Sequence, residues 1–144
     1  MNAHPSKLYT GKLMLLASML NFRSKEVVDT VLEGGMTNGR GVIVMERNVV
    51  TSEAHQFMSY FQGLGATIVV DFDDSYENLR HDNPAHRFWI RNEAGLNPPP
   101  LEMLRRALKM ADAFTSPSKV ILNDWAEAAD GRTYWLPNYA PRGW

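Results

Sequence analysis

Apolar positions along the chain fall into two textures. Upstream of residue 36 they recur at helical spacing. Leu13, Leu16, Ala17 and Leu20 share one face of a predicted helix over 11–22, with Thr10 as its N-cap. Ser24 is placed to cap a second helix with Val27, Val28, Val31 and Leu32 on its apolar face, ended by Gly34 and Gly35. Residues 36–41 are turn chemistry. Downstream, short β-branched runs take over. Residues 41–45 predict a buried strand, and 51–64 predict a helix with Ala54, Phe57, Phe61 and Leu64 on one face. Residues 66–70 predict a second apolar strand that ends in Asp71. Neither strand shows a polar face, which argues for burial on both sides and for parallel pairing through a right-handed crossover.

Residues 75–100 are polar and irregular, with Pro84, Gly95 and three successive prolines at 98–100. A loop of that length is usually functional or mobile. A helix over 101–111 turns Leu101, Leu104, Leu108 and Ala111 inward and leaves Arg105, Arg106 and Lys109 on a solvated face. A short strand over 113–115 follows. Ser116 is then expected to cap a helix with Pro117 at its first position and with Ile121, Trp125 and Ala128 toward the core. The last strand is 133–136, stopped by Pro137. This alternation predicts an α/β fold: a Rossmann-like parallel sheet with helices on both faces. A length of 144 residues fits one such domain, residues 1–40 being its helical part.

Composition narrows the chemistry. The net charge is -1, so no bulk field favours nucleic acid or an anionic membrane. The absence of cysteine excludes disulfides, thiolate metal sites and a cysteine nucleophile. The longest apolar patch, 13–20, is interrupted by Ser18 and is too short to span a bilayer. It follows Lys7 and Lys12, as a secretion signal would, but no small-residue cleavage site comes after it. A buried helix face in a cytoplasmic protein is the expectation.

In open parallel sheets ligands bind beyond the carboxyl ends of the strands. Those ends carry Glu46, Arg47 and Asn48, then Asp71, Asp73 and Asp74, then Thr115 and Ser116, and finally Asn138 and Tyr139. Parallel strands bring these groups to one edge. The three aspartates carry the sharpest signal, because like charges so close need a compensating partner. Arg47, a divalent cation or loop N–H groups would each serve, and a hydrogen-bonded turn corner is the plainer alternative. The helix beginning near Pro117 offers N–H groups to an anion, or is simply capped. His81, Asp82 and His86 match no metal motif and read as surface residues. Trp89, Trp125 and Trp135 read as core or rim.

Four segments, in this order and spacing, resemble the N-terminal domain of the GT-B glycosyltransferases of group 1 type. They are Val42-Ile43-Val44-Met45-Glu46-Arg47, the strand and aspartate run 65–74 with Asn83-Pro84 after it, the stretch 111–118, and Trp135-Leu136-Pro137-Asn138-Tyr139. Together they cover about 100 residues. The resemblance implies an acceptor-binding domain of an enzyme that moves a sugar from a nucleotide-sugar to a glycan or other acceptor. It makes Arg47, Asp71, Asp73 and Asp74 cleft residues that orient the acceptor, with Ser116, Ser118 and Asn138 as secondary members. It assigns no general base. It implies a nucleotide-sugar co-substrate, no tightly bound cofactor and no metal. In the family a donor-binding domain follows the segment that Pro137-Asn138 matches, so a further domain or a second chain is expected to complete the cleft.

Two other classes compete. Asp71-Phe72-Asp73-Asp74-Ser75 also resembles the first motif of HAD-type phosphohydrolases, in which Asp71 would be the nucleophile, Asp73 a general acid/base, and magnesium their counter-ion. A non-catalytic module that docks on a partner is the third reading.

Overall fold

The computed structural model describes residues 41–138. The two helices expected upstream, and Tyr139, lie outside the described residues. The observed order is β1 (Val42–Met45), α1 (Ser52–Gly63), β2 (Thr67–Asp71), a 3₁₀ turn (Tyr76–Asn78), α2 (His86–Trp89), α3 (Pro100–Met110), β3 (Ala113–Ser116), α4 (Lys119–Asp124) and β4 (Thr133–Trp135). The sheet runs β1-β2-β3-β4 and every neighbouring pair is parallel. The α/β class and the all-parallel sheet flanked by helices are thus as expected, but among the described residues the crossover helices pack on one face of the sheet rather than on both.

Side-chain alternation explains where the core sits. The register aligns Ile43 with Ile68, Met45 with Val70, and Val70 with Phe114. These residues share one face, and Ile68, Val70 and Phe114 are wholly buried. Phe57, Met58 and Phe61 of α1, Leu104 and Leu108 of α3, and Ile121 and Leu122 of α4 pack into the same cluster. The expected burial of β1 on both sides is not seen among the described residues: on its opposite face Val42 and Val44 are exposed. Right-handed crossovers that advance steadily across a sheet put their helices on one side, and these three do so.

Local chemistry sets the element ends. Thr51 caps α1 by accepting from Ala54 N at 3.1 Å. Gly65, with φ of 87°, takes the left-handed turn that leads from α1 into β2. Asp112 ties β2 to β3. Its Oδ2 accepts from Ile68 N at 2.7 Å and from Gln62 Nε2 at 3.1 Å, and its own N–H donates to Ile68 O at 2.9 Å. Asp112→Ala removes the acceptor of a buried strand amide. The expected loss is about 1–3 kcal/mol, read as a lower urea midpoint at unchanged slope.

His55 supplies a pH dependence. Its Nε2 lies 2.9 Å from Val49 O, and a carbonyl can only accept, so Nε2 carries a proton. Burial holds the imidazole below the usual histidine range, partly offset by that hydrogen bond. The unfolded chain therefore binds this proton more readily than the folded one. Stability should be full above the unfolded histidine pKa of about 6.5 and fall as pH drops from there toward the lower folded value. Urea midpoints at pH 7.5 and pH 5.5 test this, and His55→Gln should flatten the difference.

Two expectations need correction here. The helix after β3 does not begin at Pro117. Its N-cap is Ser118, which accepts from Ile121 N at 3.4 Å, while Ser116 remains in the strand. His86 is not a surface residue: it is 5% exposed, with its ring 4.6 Å from that of exposed His81. Trp89 and Trp125 are core, whereas Trp135 is half exposed. Arg105, Arg106 and Lys109 form the exposed face expected of them, and Arg105 and Arg106 pair with Glu77 and Glu102.

Candidate functional site

Because the strands are parallel, their carboxyl ends open on one side. There a cleft of about 270 Å³ is lined by Glu46, Arg47, Asp71, Phe72, Asp73, Tyr76, Pro117 and Asn138. Four segments distant in the chain contribute to it, one after each strand. Arg47, Asp71, Asp73 and Asn138, singled out in the sequence, are brought together. Asp74 is exposed beside them, and its charge acts on Tyr76. Ser116 and Ser118 are not among the lining residues. The side chain of Ser116 is buried and accepts from Ser118 N at 3.2 Å, and Ser118 caps α4.

Each lining group has a local cause. Asp71, on the face opposite the core, sits across from Thr115 in the register, and Thr115 Oγ1 donates to Asp71 Oδ1 at 2.5 Å. Phe72 then turns inward and is 3% exposed, packed on Phe114 with ring centroids 4.5 Å apart. Burying Phe72 obliges its neighbours Asp71 and Asp73 to face the cleft. Asn138 is held by the rim around it. Leu136 N donates to Ser116 O at 3.1 Å, and Trp135 Nε1 donates to Pro117 O at 3.0 Å. Lys119 Nζ covers the Trp135 ring at 4.3 Å.

Tyr76 is the functional candidate that sequence reasoning missed. The 3₁₀ turn after the aspartates brings it back beneath the cleft, stacked on Trp89 with ring centroids 4.0 Å apart. It is 2% exposed, and its hydroxyl is buried without a hydrogen-bond partner. Burial pushes the phenol above its usual range. The Arg47 guanidinium beside the hydroxyl opposes that rise, and the charges of Asp74 and Asp73 reinforce it. The group therefore stays an O–H donor at neutral pH. A buried hydroxyl left unsatisfied costs about 1–3 kcal/mol, which a ligand atom would recover. Glu46 is the other lining charge outside the expected set. Its place directly after β1 was the available signal, whereas nothing local marks Tyr76.

A larger groove of about 580 Å³ runs beside α3 and α4. Five of its eight charged lining residues are paired: Arg105 with Glu77, Arg106 with Glu102, and Asp130 with Arg132. It lacks the convergence of strand ends that marks the smaller cleft. Among the described residues, no group of three His, Asp or Glu is arranged to hold a metal ion, and no helix is long and apolar enough to cross a membrane.

Compared with family models, with curated proteins and with solved structures, the chain matches none.

Proposed function

We propose that this chain is the acceptor-side half of a nucleotide-sugar-dependent glycosyltransferase. A donor-binding α/β unit, in the same polypeptide or in a second chain, completes the cleft. The supporting observation is the convergence of Arg47, Asp71, Asp73 and Asn138 on one cleft at the carboxyl ends of parallel strands. These residues belong to three of the four segments that carry the family resemblance. In this reading the carboxylates accept hydrogen bonds from acceptor hydroxyls, and Arg47 and Asn138 fix the ring's orientation. The nucleotide-sugar is held chiefly by the other unit, so this half contributes positioning rather than leaving-group chemistry. The phosphohydrolase reading has weaker support. The residues that follow β3 and β4, 117–118 and 136–138, include no second acidic pair.

The test reads the coding sequence that flanks this chain, joins the chain to the α/β unit the proposal expects there, and assays sugar transfer from UDP-, GDP- and dTDP-hexoses to a panel of saccharide acceptors. The pair should transfer sugar and the chain alone should not. Asp73→Ala, at an exposed position where the fold tolerates it, should lower kcat/KM about tenfold, near 1.4 kcal/mol of transition-state binding. Absence of transfer by the pair, or full activity of Asp73→Ala, would refute the assignment.

A further inference from the structure

The lining of the cleft is electrostatically lopsided. Glu46, Asp71 and Asp73 stand against Arg47 alone, and Asp74 adjoins them. Three carboxylates with one guanidinium repel an anion and leave hydrogen-bond acceptors in excess of donors. The second observation is independent of this charge. Tyr76 is 98% buried, taking its 2% exposure from the whole, and its hydroxyl has no partner. Tyr76 is itself one of the residues that line the cleft. A volume of about 270 Å³ equals that of about nine liquid waters, room for one hexose ring.

We propose that the cleft takes a non-anionic, hydroxyl-rich ring, a neutral or amine-bearing sugar, with Tyr76 Oη donating to one of its oxygens and Asp71 and Asp73 accepting from its O–H or N–H groups. This rests on the reading of the cleft as the acceptor site, and it names the acceptor's charge class. A sugar hydroxyl both donates and accepts, so one ring can satisfy the carboxylates and the tyrosine together. The anionic group of a phosphate or uronate in the same place would bring further negative charge against the carboxylates, and its ionised oxygens could not donate to them. The nucleotide diphosphate is excluded from this part of the cleft on the same ground.

The experiment is a titration of the full ¹⁵N-labelled chain with glucosamine, glucose and glucuronate, which share a ring and differ in charge. Amide resonances of 46–47, 71–76 and 138 report the cleft. Glucosamine should bind tightest, glucose next and glucuronate weakest, and added salt should narrow the order. Tyr76→Phe should weaken glucose about fivefold, as one hydrogen bond is lost, and should leave the urea midpoint unchanged or higher. Glucuronate binding as tightly as glucose would overturn the proposal, and so would the absence of shifts in those resonances with all three sugars. An unaltered glucose affinity in Tyr76→Phe would do the same. The transfer assay is read separately. If the sugars bind in the expected order but the joined protein transfers nothing, the proposed reaction fails and this assignment stands. If transfer occurs onto an acidic sugar seated in this cleft, this assignment fails and the reaction stands.

Discussion

Replacing Phe72 with alanine is expected to cost about 3–5 kcal/mol, the largest stability effect among the site-forming residues. Phe72 is 3% exposed and meets three other rings, with centroids 4.5 Å to Phe114, 5.4 Å to Tyr76 and 5.6 Å to Trp125. Truncation removes those contacts and leaves a cavity that three rigid aromatic rings cannot readily fill. The same residue sets the corner that directs Asp71 and Asp73 outward. Its N–H donates to Thr115 O at 3.3 Å, continuing the β2–β3 ladder by one residue. Phe72→Ala should therefore also blunt sugar binding in molecules that remain folded. Phe72→Leu, which fills much of the volume, should cost about 1–2 kcal/mol. Urea denaturation of both variants supplies the comparison. A loss below about 1 kcal/mol for the alanine variant would mean that the corner is held by other groups.

Arg47→Glu is expected to lower sugar transfer by the joined protein at least about a hundredfold, roughly 2.7 kcal/mol in kcat/KM. Arg47 is exposed, so the fold should survive and the urea midpoint should stay close to that of the parent. The reversal leaves four carboxylates and no cation in the lining, and removes the guanidinium beside the Tyr76 hydroxyl. Arg80→Glu is the control. Arg80 pairs with Asp82 at 3.1 Å on the exposed loop, away from the cleft lining, and its reversal should leave transfer unchanged. Equal activity of parent and Arg47→Glu would remove Arg47 from the site.

The sheet was legible in the sequence because its signal is local. The β-branched runs at 41–45 and 66–70 and the helical face through Ala54, Phe57 and Phe61 mark surfaces that pack on one another, though the same reading overestimated the burial of Val42 and Val44. Parallel pairing followed from those runs, and with it the gathering of Arg47, the aspartates and Asn138. What escaped the sequence depends on contacts between distant segments. Ser116 looked like a helix cap, yet its carbonyl accepts from Leu136 N, so pairing with β4 keeps it extended and passes the cap to Ser118. Tyr76 looked like a loop residue, yet Phe72 and Trp89 draw it into the core. His86 is buried by the same folding-back of the long loop. The hydrogen bond from Thr115 to Asp71 depends on strand register, which no one segment encodes.

The reading of the cleft as a sugar site can be probed chemically, because the chain contains no cysteine of its own. Asn138→Cys and Val120→Cys each introduce one thiol, the first in the cleft lining and the second on the exposed side of α4. The rate of alkylation is measured with and without glucosamine. Binding at the convergent strand ends should slow alkylation at position 138 severalfold and leave position 120 untouched. Equal rates at position 138 with and without the sugar, or equal slowing at both positions, would contradict it.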